Sequence, residues 1–549
     1  MMTEREEAAK TRGTSMGNFN YLLLDADKVL TAFGKYGRYQ MLTYFITNSV
    51  QLLFSANMMV MPFITKRATF DCHFAPKDEW TYTILSNDSC HVLDGNNWQV
   101  PCSSIPGYSY AYNQNVSTMA SEFGLVCDDY NSIEHSTSIF LLGGMLVTPL
   151  ITQLSDIFGR RIAFLVPLYT SVIANIICAI APNYTIFLIF RFFSGVATTS
   201  FAMTGYVLCM ESVALDFHSF IPLLSSLTWV LGYILAGVFD MFISNWRWLY
   251  FAVSLPGILT IPFYWFTPES LHWLVNNKKE RKIERYIAVC SHYNKMEIPL
   301  HNCRNDSQEE QVGIKRTVFD VFSHPTLLVN ILLNSFILVI MNGTYWALSL
   351  FSVDLSEDEH LGYFLSGLIE LPAGGLSVIL LICCDRKLVS FFSLLSTAVF
   401  MLCTIYVPIE KNIRMIFPLL AKSANSIAWS SQPLLYTEAT PTTVRNVVCG
   451  IIAFIGDIGS VAAPYLKRME AVSVNAPTIL ISALSVIAAF CVVLLPETKG
   501  RKLPEDLNDF DLGPLLRCFA PKNEAASEEE VVEHQEEQNT QPEGDHNIV

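Results

Sequence analysis

The sequence predicts an all-α membrane protein of twelve transmembrane helices. They form two pseudo-symmetric six-helix halves, with a large extracellular loop after the first helix. Three observations predict this: twelve long apolar runs, charged motifs repeated at a nearly fixed offset, and a lopsided placement of basic residues. Only 15% of the 549 residues are charged, against about a quarter in a soluble chain. These numbers exclude a nucleic-acid binder and a chain disordered throughout.

The runs are Met41–Ile64, Ile139–Leu154, Phe164–Ala181, Ile186–Leu208, Ile221–Ile243, Leu249–Phe266, Leu327–Leu350, Leu361–Cys384, Leu388–Val407, Met415–Tyr436, Val447–Leu466 and Ile479–Leu495. Most approach the roughly 20 residues a helix needs to cross about 30 Å of hydrocarbon. Residues 1–40 are polar, and the first run is too long for the apolar core of a cleavable signal.

Basic residues stay on the cytoplasmic side. Residues 1–40 hold six Lys/Arg and the connection Glu269–Thr326 holds nine, whereas 66–134 holds three against nine acids. The expected plan is a cytoplasmic segment 1–40, a first half 41–266 with extracellular loop 66–134, a cytoplasmic linker 267–326 with short helices, a second half 327–495 and a cytoplasmic segment 496–549. The net charge of −15 owes nine acids to residues 523–549, a tail too polar to fold.

Cysteines and sequons agree with this topology. Cys72, Cys90, Cys102 and Cys127 lie in the outer segment, where oxidation favours two disulfides, with three pairings open. Asn87 and Asn115 head glycosylation sequons there. The other cysteines show no metal-ligand spacing, and no phosphate-binding loop occurs, so neither a metal, a nucleotide nor any other cofactor is expected. No nucleophile–base constellation marks an enzyme.

The halves repeat. Asp156 corresponds to Asp385, Glu211 to Glu438 and Pro268-Glu269 to Pro496-Glu497, at offsets of 229, 227 and 228 residues. Such duplication places a binding site between the halves near the bilayer midplane. Gly159, between Asp156 and Arg160-Arg161, permits a tight turn. Thr267-Pro268-Glu269 has the order of cap, first-turn proline and early acid, so short helices are expected after helices six and twelve.

These residues resemble the major facilitator superfamily, whose loop between helices two and three is similar to Asp156-Ile157-Phe158-Gly159-Arg160-Arg161. More specifically, Gly34–Gln40, Pro268–Leu274, Glu438–Asn446 and Leu495–Arg501 resemble the organic cation transporter family, over roughly residues 30–510. The resemblance implies alternating access and a plasma-membrane location with both termini inside. It implies a cytoplasmic charge layer of Asp156, Arg160, Arg161, Glu211, Glu269, Asp385, Arg386, Glu438, Arg445 and Glu497, in which Asp156, Arg160 and Arg161 bridge the two halves.

Ionisable groups at the bilayer centre cost at least about 2.5–3.5 kcal/mol each, so each asks for a reason. Asp457 in helix eleven and Glu370 in helix eight stand near mid-depth, and Arg191 and Lys422 are their basic counterparts. Glycines on either side of Asp457 leave space beside it. One reading pairs Lys422 with Asp457 or Glu370 as internal struts; the other leaves an acid facing a cavity to neutralise a cation. The resemblance favours the second for Asp457, since anion and carnitine carriers usually have arginine there. Glu370 also matches a family acid, a candidate for substrate or proton coupling.

Aromatic faces attract cations, by about 0.5–2 kcal/mol each. Candidates are Trp229 and Tyr233 on one face of helix five, Tyr345 and Trp346 in helix seven, Tyr206 in helix four and Trp429 in helix ten. Tyr206 and Tyr345 match the family's substrate-lining positions. Ala202 stands where typical cation carriers place a tryptophan, which implies a larger pocket or one tuned to a different substrate. The expectation is a carrier of small organic cations driven by membrane potential, worth about 2.3 kcal/mol per 100 mV. Its expected partners are that cation and the lipid bilayer. An anion or carnitine carrier, a proton-coupled antiporter and a non-transporting receptor are the alternatives.

Overall fold

A computed structural model describes residues 24–66, 70–74, 83–85, 88–93, 99–104, 108–112, 117–127, 132–299, 325–407, 414–441 and 444–499, with Tyr21, Cys303 and Pro504. Asn87, Asn115, the tail 523–549 and any helix after the twelfth span lie outside the described residues. All twelve predicted spans are helical. They are α1 (Arg38–Met59, continued by Met61–Ile64), α2 (Ile133–Phe158), α3 (Arg160–Ile180), α4 (Tyr184–Met210), α5 (Ile221–Phe242) and α6 (Trp246–Phe266). The second half comprises α7 (Pro325–Leu350), α8 (Glu359–Cys383), α9 (Arg386–Tyr406), α10 (Ile416–Ala439), α11 (Arg445–Ala462) and α12 (Ala476–Leu494).

Ten of these are long and apolar enough to cross a membrane by length and composition alone. The other two, α1 and α10, carry polar side chains that are buried among neighbouring helices: Gln40, Thr43, Thr47, Asn48 and Asn57 on α1, and Lys422, Asn425, Ser431 and Gln432 on α10. Buried polar groups in a bilayer must be satisfied within the protein. Thus Asn48 donates to the Tyr44 carbonyl at 2.8 Å, and Gln432 donates to Asn334 Oδ1 on α7 at 2.9 Å.

The segment between α1 and α2 marks the face called outer here. It adds small sheets to the described helices. Strands β1 (Phe70–Phe74) and β5 (Tyr108–Tyr112) pair antiparallel, and β2 (Thr83–Leu85), β3 (Asp88–Leu93) and β4 (Gln99–Pro101) form a second antiparallel sheet. The disulfides Cys72–Cys102 and Cys90–Cys127 select one of the three possible pairings. Their cystines replace the core that so small a unit could not otherwise build; Cys72, Cys102 and Val92 are fully buried in it.

On the inner face a short helix, Ala26–Ala32, packs with the linker helices Leu271–Asn276 and Glu280–Asn294 around Leu30, Trp273, Ile283, Tyr286 and Cys290. Burial pushes the Cys290 thiol well up, so it stays protonated and inert. The linker helix starts later than the sequence suggests. Ser270, not Thr267, caps it by accepting from the Trp273 N–H at 3.1 Å. Glu269 is released to another helix: its Oε1 accepts the Arg161 N–H at 3.0 Å, in the first turn of α3.

The outer half of the bundle is shared and the inner half is divided. One apolar cluster contains residues from both halves, among them Met59, Phe63, Tyr233, Trp246, Trp346, Tyr363 and Ala463. Towards the inner face the clusters separate: Ile46, Val50, Phe164, Leu168 and Phe201 belong to the first half, and Leu327, Ile331, Val448 and Ile452 to the second. The bonds that join the halves follow the same gradient. At the outer ends Glu134 pairs with Arg468 at 3.0 Å, His360 with Asp240 at 3.1 Å, and Lys66 with Glu359. Deeper, Tyr363 Oη shares its one proton between the Met59 and Tyr233 carbonyls, each at 2.9 Å, and Tyr233 Oη meets Ser352 Oγ at 3.1 Å. The outer side is closed.

Candidate functional site

Four mid-membrane charges anchor the site, and the structure treats each differently. Arg191 on α4 is fully buried with neutral partners: Nη1 donates to Asn57 Oδ1 at 2.9 Å and to the Tyr250 hydroxyl at 2.6 Å, and its plane lies 4.3 Å from the Phe140 ring centre. It braces α4 against α1 and α6. Lys422 on α10 pairs with Glu370 on α8, Nζ to Oε1 2.8 Å. Its other donors go to the Ser366 carbonyl at 2.9 Å and hydroxyl at 3.0 Å.

Glu370 sits where α8 breaks. The helix is interrupted at Ile369, and Glu370 opens the second segment. Pro372 accounts for the interruption: it has no N–H, and its ring crowds the carbonyl four residues back. The same Oε1 also accepts from the Tyr345 hydroxyl at 2.9 Å, and that hydroxyl accepts from the Trp229 indole of α5 at 3.1 Å. A relay from Trp229 through Tyr345 and Glu370 to Lys422 therefore crosses from one half to the other.

Asp457 differs. It lies about 15–18 Å along α11, partly buried, and its Oδ1 accepts one bond, from the Asn342 amide of α7 at 3.3 Å. Among the described residues no lysine, arginine or histidine pairs with it. The glycines beside it do not leave open space, as the sequence suggests, because α7 fills it. A Cβ on Gly459 would stand 1.9 Å from the Val339 carbonyl oxygen, and one on Gly456 would meet Leu338 at 2.6 Å. Those glycines bring α7 close enough for Asn342 to reach Asp457. Asn342 and Tyr345 are one turn apart on α7, so the two acids are approached from adjacent positions of the same helix.

The aromatic candidates separate by exposure. Tyr206 is 48% exposed and lines a cavity of 310 Å³ with Gln51, Phe54, Thr152, Ala202 and Val207. Ala202 lies in its wall, where a tryptophan would fill space. Thr152 and Ser155, from the last turns of α2, also line it, so it extends towards the inner face. Phe54 links this cavity to the relay, with ring centres 5.4 Å from Trp229. Trp346 stacks edgewise on Trp229 at 6.4 Å and is buried; Trp429 meets Tyr345 at 6.5 Å and keeps an exposed edge. Tyr233 is fully buried in the closure between the halves. Phe54 was invisible in the sequence because nothing distinguishes it from other apolar residues of its run.

The charged layer at the inner face differs from the expected one in its connections. Arg160 pairs with Asp156 at 2.6 Å and with Glu211 at 3.0 Å, all within the first half. Arg386 pairs with Glu438 within the second. Glu497 accepts the Lys387 N–H at 3.0 Å, as Glu269 accepts that of Arg161. Arg161 reaches the Tyr264 carbonyl and Arg445 the Thr440 carbonyl. The expected bridge between halves through Asp156, Arg160 and Arg161 is thus absent among the described residues, because the outer closure leaves the inner ends apart. Asp385 is also not the partner of Asp156. It precedes α9 as Gly159 precedes α3, so the structural offset is 226 residues, as for Arg160 and Arg386.

The family model for the Major Facilitator Superfamily matches residues 90–464. The chain belongs to the Major Facilitator Superfamily. This facilitator is 27% identical to the organic cation transporter protein of Drosophila melanogaster, over 88% of its own length and 94% of the relative's. It is 26% identical to solute carrier family 22 member 2 of Mus musculus, over 78% of each chain. Among solved structures it is similar to the partially occluded, inward-open xylose transporter XylE of E. coli, with a TM-score of 0.61 and 15% identity, over 85% of this chain and 100% of that one. That last likeness concerns the fold alone. The facilitator is a multi-pass membrane carrier rather than an enzyme.

Proposed function

We propose that this facilitator carries small organic cations by alternating access, with Asp457 as the counter-charge of the cargo. The observation that carries the reading is the contrast between the two mid-membrane acids. Glu370 already holds Lys422 at 2.8 Å, whereas Asp457 holds only an amide donor. An uncompensated carboxylate at that depth is costly, and a cationic cargo removes the cost. Trp229, Tyr345, Trp346, Trp429 and Tyr206 supply ring faces along the path, and the names of the relatives agree with a cation as cargo. Tyr233 takes part when the closure opens.

The basic linker and the disulfide-bearing loop support a plasma-membrane location with both termini inside. Asp156, Gly159, Arg160, Arg161, Glu211, Glu269, Asp385, Arg386, Glu438, Arg445 and Glu497 act in this reading as braces that keep the inner end of each half rigid while the halves rock. A monovalent cation falling through the membrane potential gains about 2.3 kcal/mol per 100 mV, roughly fiftyfold accumulation. No second energy source is needed.

The test is uptake of radiolabelled tetraethylammonium in voltage-clamped oocytes, wild type against Asp457→Asn at equal surface expression. Saturable, voltage-sensitive uptake that collapses in the variant is the expected result. Unchanged uptake by the variant would remove Asp457 from the site, and well-expressed wild type without uptake would turn the reading to organic anions and zwitterions.

A further inference from the structure

Lys422 is bound as a cationic substrate would be. Its ammonium has three donors, and all three are placed: Glu370 Oε1 at 2.8 Å, the Ser366 carbonyl at 2.9 Å and the Ser366 hydroxyl at 3.0 Å. Two ring faces complete the enclosure, with Nζ 4.8 Å from the centre of Tyr233 and 5.4 Å from that of Tyr345. Carboxylate, carbonyl and aromatic faces are the groups that recognise an organic ammonium. The side chain is 1% exposed, so water does not stabilise its charge.

The charges of the central region then add up simply. Arg191 stands apart on α4, against Asn57, Tyr250 and Phe140. Around α7 there are two acids, Glu370 and Asp457, and one internal cation, Lys422. One negative charge is left over.

We infer that Lys422 sets the charge number of the cargo: by occupying Glu370 permanently it converts a site with two carboxylates into one that takes a single positive charge. This rests on the cation reading proposed above. Tyr345 and Asn342, one turn apart on α7, hold the two acids at neighbouring positions. Without Lys422 the same pair of acids would suit a dication. Lys422 is therefore a specificity-determining residue that acts through Glu370.

The experiment compares tetraethylammonium uptake, and its inhibition by the bis-quaternary hexamethonium, in wild type, Lys422→Gln, Lys422→Arg and the double variant Lys422→Gln/Glu370→Gln. All are measured at equal surface expression under voltage clamp. Lys422→Gln is expected to shift the ratio of hexamethonium to tetraethylammonium potency by about tenfold or more towards the dication. Lys422→Arg, which keeps the charge, should retain the wild-type ratio. The double variant removes both charges and again leaves one acid, so it should recover monovalent uptake with the wild-type ratio. It keeps the inference open to being overturned even if Lys422→Gln fails to reach the surface.

An unchanged ratio in Lys422→Gln, or a surface-expressed double variant that prefers dications or moves no tetraethylammonium, overturns the inference while leaving the cation reading intact. Wild type that moves no tetraethylammonium overturns the cation reading and this inference with it.

Discussion

The indole of Trp229 donates to the hydroxyl of Tyr345 across the boundary between the two halves, at 3.1 Å. It is the bond nearest the substrate path in a series that ties the halves from mid-membrane to the outer face, and Tyr345 passes it on to Glu370 at 2.9 Å. The series ends where the aromatic path begins. Opening the outer side must therefore break contacts that share residues with the site, which couples closure to occupancy.

Removing that one bond should favour outer opening. Trp229→Phe keeps a ring for the cation but deletes the indole donor, a loss of about 1 kcal/mol for a neutral hydrogen bond. The expected result is a roughly fivefold rise in the reactivity of a cysteine engineered beside Tyr363 towards a membrane-impermeant thiol reagent. An unchanged rate would show that the bond does not restrain the closure.

The approach of α7 to α11 offers a second test. Gly459 has no room for a side chain, since its Cβ would lie 1.9 Å from the Val339 carbonyl oxygen, whereas a Cβ on Gly450 of the same helix meets nothing within 4 Å. Gly459→Ala is expected to push the helices apart, break the Asn342–Asp457 bond and lower surface expression and cation affinity. Gly450→Ala should leave both unchanged or slightly stabilise the helix, by up to about 1 kcal/mol. Fluorescence-detected size exclusion of the two proteins side by side separates these outcomes.

Much of this was legible in the sequence, for identifiable reasons. A charge inside a run of 20 apolar residues stands out, so Asp457, Glu370, Arg191 and Lys422 were visible, as was the outer position of four cysteines. Their partners were not, since pairing depends on how helices turn about their axes. Arg191 illustrates this: it is held by an amide and a phenol, which carry no charge to search for. The repeat was legible only to within a few residues, which is why Asp385 was aligned with Asp156 although it occupies the place of Gly159. Strands of three to six residues between disulfides gave too short a pattern to be read. Proximity to Pro268 pointed to Thr267 as a cap, but the chain stays extended until Ser270 because Glu269 is held by α3.

The outer loop yields a covalent prediction. Peptide mapping without reduction should recover Cys72 joined to Cys102 and Cys90 joined to Cys127. Each bridge closes a loop of about 30–40 residues, and losing one from a small extracellular unit costs about 2–5 kcal/mol. Cys72→Ser and Cys102→Ser should therefore reduce surface delivery to the same extent, and their combination should be no worse than either alone. A combined variant that is clearly worse would mean that the two cysteines act separately.

The outer closure itself carries two ion pairs between halves, Glu134 with Arg468 and Lys66 with Glu359, and a carboxylate–imidazole contact of Asp240 with His360. All are partly exposed, so water and salt screen them, and each is worth at most about 1 kcal/mol. Neutralising one, as in Glu134→Gln, should shift the balance towards the outward-open form only about two- to fivefold. Glu134–Arg468 is separate from the other two, so its effect should add to theirs, whereas Glu359 and His360 are neighbours at the start of α8 and Asp240 also feels Lys66 and Glu359, so those two pairs are coupled. The triple variant Glu134→Gln/Asp240→Asn/Glu359→Gln is expected to shift the balance more than any single variant, by about tenfold. Because uptake requires return through the outward-closed state, its transport rate should fall even though each single variant stays close to wild type. Measuring the accessibility of an outer cysteine at low and high ionic strength checks the origin of the effect. High salt should reproduce part of the shift in wild type and add little in the triple variant, and equal salt sensitivity in both would mean that these pairs do not hold the outer side shut.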